Sequence, residues 1–230
     1  MTDSAHRGAL IATYAINDAM NQLILSNLDP KAWRAKLPGA APGPRTVGAI
    51  FAHLHNVRLR WRKRNAPHLK RPAPLDPHRC TIEQTSSALK VSGELCLKML
   101  TEALSGGPDG RITEFRRDSW MPTWTANPAM FAYMFGHEEH HRGQILMLVH
   151  QLGYRINQNK ISAIWYWDKL WKQAGIPRPR WGSRNKKASS LRPPRRIGVG
   201  MTDMTPCSGS GGLILLTAWP QNSKLKSSCA

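Results

Sequence analysis

MFAYMFGHEEHHRGQILMLVHQLG, residues 130–153, gathers three of the chain's nine histidines within five residues. At about 100° per residue, His141 lies about 40° round a helix from His137. Met130, Tyr133, Met134, Ile145 and Leu148 fall within about 80° of the same direction. His137 and His141 therefore interrupt an apolar stripe one turn apart, with His140 on its border. Pro128, after Asn127 as a cap, starts this helix, and Gly153 stops it.

Outward from this stretch the chain reads as further helices. Residues 4–27 set Leu10, Tyr14, Ile16, Met20, Leu23 and Ile24 at helical intervals before the Asp29-Pro30 turn. After a Pro/Gly loop at 37–45, Thr46 is an N-cap for a helix to Arg64, with Ile50, His53, Leu54, Val57 and Trp61 on one face. Thr-Ile-Glu-Gln at 81–84 is a capping box for a helix over about 82–104. Gly106, Gly107, Pro108 and Gly110 break it, and 111–124 reads as irregular or briefly extended. Residues 161–173 (ISAIWYWDKLWKQ) predict a short aromatic helix across the bundle. Core packing is the expected role of Trp165, Trp167 and Trp171, and a homodimer patch the alternative. The reading is all-α: a four-helix up-and-down bundle with a short aromatic C-terminal helix over 1–177, and a basic, low-complexity, disordered tail over 178–230. In that tail GLILLTAWP (212–220) is a lone apolar island.

Composition bounds the function. A chain of 230 residues, 41% hydrophobic, supports one domain with a real core. Lys+Arg 33 against Asp+Glu 14 gives +19. From Arg178 onward there are ten Lys/Arg against Asp203, so +9 of the excess is in the tail and 23 minus 13, or +10, precedes it. The four cysteines, Cys80, Cys96, Cys207 and Cys229, form no CxxC pair and no disulfide framework. With no signal-peptide pattern at MTDSAHRGAL and no run of eighteen or so apolar residues, a cytoplasmic protein with no membrane partner is expected.

Two imidazoles buried side by side are costly unless each donor and acceptor is satisfied, and one divalent ion satisfies both acceptors. The third ligand must come from another helix. His53, in line with Ile50, Val57 and Trp61, is the candidate. His55 lies about 200° away beside Arg58 and Arg62 and reads as solvated, or as bonded behind a ligand. Three histidines with an open fourth position suit a catalytic rather than a closed structural metal site. Glu138, Glu139, His140, Gln144 and Asn56 are candidates to orient the ligands or move a proton. A solvated face is the favoured reading for the two glutamates. Arg142 either attracts an anionic substrate or pairs with a glutamate one turn away.

The segments TVGAIFAHLHNVRLRW (46–61) and HEEHHRGQI (137–145), in that order around a loop-rich middle, resemble the DinB/YfiT-like superfamily of metalloenzymes. The resemblance covers about residues 4–172, and His141–Gln144 is its most specific part. It implies a bundle in which the second helix gives one histidine and the last long helix an HxxxH pair. Zinc, nickel or a similar divalent ion then falls on His53, His137 and His141. It also implies thiol-dependent chemistry, in which the metal activates a low-molecular-weight thiol such as bacillithiol or mycothiol for transfer to an electrophile. The family's name reflects induction by DNA damage, a link to stress response rather than to DNA binding.

The expected function is therefore a divalent-metal-binding, metal-dependent transferase or detoxification enzyme, with hydrolase-like activity also open and no catalytic residue assigned. Its partners are a low-molecular-weight thiol and an electrophilic small molecule. The alternatives are a non-catalytic helical bundle and a nonspecific nucleic-acid-binding protein. RLRWRKR (58–64) and KKASSLRPPRR (186–196) motivate the latter, but no motif supports a specific nucleic-acid partner, and a solvated basic surface is the simpler account.

Overall fold

The computed structural model describes residues 3–39, 45–105, 112–125 and 128–173. Four long helices dominate: α1 (Asp3–Ser26), α2 (Val47–Asn65), α3 (Ile82–Leu104) and α4 (Pro128–Gln151). Their boundaries follow local chemistry. Thr46 Oγ1 accepts the Ala49 N–H at 3.2 Å at the start of α2. At α3, Thr81 Oγ1 accepts from Gln84 N at 3.1 Å, while Gln84 Oε1 accepts from Thr81 N at 3.0 Å, the reciprocal capping box. After α4 the chain turns at Gly153, whose φ of 80° disfavours any residue with a Cβ. Asn127, the Gly106–Gly110 break and the 178–230 tail lie outside the described residues.

The stretch after α3 is briefly extended, as its composition suggests. β1 (Glu114–Phe115) and β2 (Trp124–Thr125) form a two-stranded antiparallel ladder pairing Glu114 with Thr125 and Phe115 with Trp124. Phe115 is fully buried and anchors this hairpin in the core. Two short helices, α5 (Gln158–Ile161) and α6 (Trp167–Gln173), flank a 3-10 turn over Ser162–Trp165. Leu170 of α6 packs on Ile16 and Met20 of α1, with Trp167 against the same cluster. Trp165 departs from the expected core packing: it is 75% exposed. Among the described residues no helix is long and apolar enough to cross a membrane.

Two apolar layers show how the helices run. One joins Tyr14 of α1 to Val57 and Trp61 late in α2, Cys96 to Ala103 late in α3, and Met130 and Met134 early in α4. The other joins Ile24 and Leu25, late in α1, to Val47–Leu54, Leu89, Ile145 and Val149. α1 and α4 therefore share one direction, and α2 and α3 the other. Each of α1 and α2 packs against both α3 and α4. α2 ends in the first of these layers and α3 begins in the second, so the chain crosses the length of the bundle between α2 and α3, through residues 66–81.

Candidate metal centre

α2 and α4 run antiparallel, and this brings His53 opposite the HxxxH pair of α4. The ring centroid of His141 lies 4.6 Å from those of both His53 and His137, and His53 lies 5.5 Å from His137. One nitrogen from each ring can be chosen so that all three lie within 4.8 Å of one another, a set able to hold one metal ion. Trp61 stacks edge-on against His137 at 5.3 Å, and Tyr133 lies 6.1 Å from it, so aromatic rings wall this side of the triad.

The donors fit an ion. His137 Nδ1 is buried and has no hydrogen-bond partner, which is costly for an imidazole left alone. His141 Nδ1 lies 2.7 Å from Gln144 Oε1. An amide oxygen only accepts, so His141 donates from Nδ1 and keeps its Nε2 lone pair free. Gln144 in turn donates through Nε2 to His140 Nε2 at 2.9 Å. Gln144 was among the candidates to orient a ligand, and its hydrogen bond gives it that geometry.

Burial, then the neighbouring His141, Arg45, His137 and Arg60, holds His53 down to about 3. Burial and then His141 hold His137 at about 4. Burial also lowers His141, partly offset by its bond to Gln144. All three imidazoles are therefore neutral, ligand-ready bases at pH 7.

Behind the triad, α4 carries a second i,i+4 pair one residue out of phase, Glu138 and Arg142. Neither is on a solvated face: Glu138 is 0% and Arg142 6% exposed. Glu138 Oε1 accepts from Tyr14 Oη at 2.6 Å and Arg58 Nε at 2.8 Å. Its Oε2 accepts from Arg58 Nη2 at 2.6 Å and from Asn17 and Asn21 Nδ2 at 2.8 Å each. The two asparagines turn their oxygens to Arg142 Nη1, at 2.8 and 3.1 Å. Each amide thus bridges the carboxylate to a guanidinium, and flipping either would set like against like. Despite its burial, Glu138 is held below the usual carboxylate range by Arg58 and these donors.

Arg58 also pairs with Asp18, Nη1 to Oδ1 at 2.7 Å, by distance rather than by hydrogen-bond geometry. The Asp18 carboxylate fits only because residue 93 is glycine: a Cβ there would lie 2.4 Å from Asp18 Oδ2.

Other expectations need correction. His55 is neither solvated nor behind a ligand. It is fully buried, and its Nε2 bonds the Ala73 carbonyl at 3.0 Å, tying α2 to the loop that follows. Arg58 and Arg62 of the supposed basic surface are 1% and 6% exposed. Arg62 bonds the Ala66 and Pro67 carbonyls beyond the end of α2. Asn56 clamps Leu75 through both backbone groups, at 2.8 and 2.9 Å. Glu139 is exposed, as expected. Cys80 and Cys96 are free thiols, both buried.

The DinB family model matches residues 1–168. The chain belongs to the DinB family. Comparison with curated proteins and with solved structures gives no significant match.

Two predictions follow from this DinB-family site. Gln144→Ala frees the His141 ring to rotate or change tautomer, so zinc affinity falls about 10–100-fold, read by competition with a chromophoric chelator; a change under about twofold would refute the orienting role. In the metal-free protein, the folded state resists protonating His53 and His137 while the unfolded chain takes up protons near pH 6.5. The histidine contribution to stability therefore falls as pH drops below about 6.5 and levels off near pH 3. Urea midpoints across this range should fall more steeply for the wild type than for His53→Ala; equal slopes would show that His53 is protonated freely in the fold.

Proposed function

We propose that the triad binds one divalent ion, zinc, nickel or similar, on His53, His137 and His141, and that the protein is a metal-dependent enzyme transferring a low-molecular-weight thiol to an electrophile. The observation that supports this best is the three convergent, neutral imidazoles, one with its tautomer set by Gln144 and one with a buried nitrogen lacking any partner. Family membership supports the same reading. A divalent ion on three neutral ligands supplies a Lewis acid with room for a substrate atom, which favours the deprotonated form of a thiol.

The chain's own residues do the rest. Gln144 orients His141, while Trp61 and Tyr133 limit water on the His137 side. A cleft of about 280 Å³ opens beside His53, lined also by Ala49, Asn56 and Pro77, large enough for a small thiol and its acceptor. The test is a panel of thiols and electrophiles offered to zinc- and nickel-loaded protein. Metal-dependent consumption of a thiol–electrophile pair, absent after chelation and restored by the ion, is the expected result. Turnover that survives complete removal of metal would overturn the reading.

A further inference from the structure

The cleft beside His53 has a charge pattern that the metal reading does not require. Ala49, His53, Asn56 and Arg60 recur at helical spacing on one face of α2, and Arg45, Pro77 and His78 close the cleft from two loops. Among the described residues no carboxylate lines it. Arg45 bears electrostatically on His53 and His141, and Arg60 on His53 and His137, so both guanidiniums of the cleft lie close enough to act on the triad.

Several arginines elsewhere on the bundle are committed, and Arg71 and Arg79, which are not, lie outside the cleft. Arg58, Arg62, Arg116 and Arg142 all donate to protein acceptors. Among the described residues no hydrogen bond or ion pair engages Arg45 or Arg60, and both are exposed. A ligand set of three neutral imidazoles also leaves the full double charge of a divalent ion uncompensated. Glu138, the buried carboxylate near the triad among the described residues, faces away into Arg58.

We infer that Arg45 and Arg60 form an anion-recognition pair at the mouth of the metal centre, so that the substrate bound there carries a carboxylate or phosphate group in addition to the atom that meets the ion. Arginine suits both anions through paired N–H donors, and unpaired guanidiniums at the lip of a cleft also speed capture of an anion. The inference rests on the metal reading above and deepens it: the site selects an acidic small molecule over a neutral one.

The experiment uses the full chain, with zinc loading checked by metal analysis. Calorimetric titration compares 2-mercaptosuccinate with 2-mercaptoethanol on the wild type and on Arg45→Gln/Arg60→Gln. The anionic thiol should bind about tenfold more tightly than the neutral one to the wild type. That advantage should shrink to about two- to threefold in the variant, where only the ion's charge remains, and the variant should still load zinc. An equal advantage in both proteins overturns the inference.

In parallel, the metal-free proteins are titrated with succinate and with inorganic phosphate, which separates carboxylate from phosphate recognition. Binding of either that falls about tenfold in the variant supports the arginine pair even in a protein that takes up no ion. Binding of neither, or equal binding by both proteins, overturns it. A wild type that takes up no zinc when it is offered, yet binds anions through Arg45 and Arg60, would defeat the metal reading alone.

Discussion

Glu138→Ala is expected to lower the free energy of unfolding by about 3–5 kcal/mol, a large share of the roughly 5–15 kcal/mol that holds a domain of this size together. The substitution removes the acceptor of five hydrogen bonds at once. It leaves Arg58, whose side chain is 0% exposed, with Asp18 as its remaining counter-ion, and it orphans Tyr14 and both asparagine amides. A buried charge stripped of its partner costs far more than the pair contributes, because desolvation of the survivor stands uncompensated. Chemical denaturation with an unchanged m-value is the measurement; a loss below about 1 kcal/mol would show that water reaches the network on substitution. Arg58→Met/Glu138→Leu should recover most of the loss, since it removes both charges together. The sign with pH is fixed as well. Glu138 is depressed in the fold, so its contribution is present above about pH 4.5 and disappears as pH falls through its folded value.

His137→Ala/His141→Ala is the second large effect, and it falls on the ligand rather than the fold. Wild-type protein purified without an affinity tag should carry about one divalent ion per chain, and the double variant none. Zinc at about 1,000 times its dissociation constant should stabilise the wild type by about 4 kcal/mol, and the variant by nothing. The far-ultraviolet dichroism of the two metal-free proteins should coincide, because the Glu138–Arg58 network lies on a different face of α4. One ion per chain bound with undiminished affinity by the variant would remove the triad as the site.

The helix ends were legible because Thr46, Thr81, Gln84 and Gly153 act on their own neighbours. His53, His137 and His141 were legible because an imidazole within an apolar stripe stands out on one helix at a time. Glu138, Arg58 and Arg142 were not, because a charged side chain is locally indistinguishable from one facing water. Their burial depends on partners 80 to 125 residues away, and no periodicity reports those distances. His55 was misplaced for the same reason: its acceptor, the Ala73 carbonyl, belongs to a proline-rich loop with no helical phase. The order in which the helices pack also depends on contacts between layers rather than on any one segment.

The two offset pairs on α4, His137 with His141 and Glu138 with Arg142, separate the tasks of the helix. One pair faces α2 and the candidate ligand; the other faces α1 and is saturated by it together with Arg58 of α2. Sliding α4 by a single residue would trade a carboxylate for an imidazole at the most tightly satisfied point of the interior, so the histidines inherit their alignment from a neighbour that stands outside the triad. Such a division separates chemistry from shape: exchanging the side chains at positions 53, 137 and 141 should change what the triad can hold while the folding contacts of Glu138 and Arg142, one residue away, stay in place.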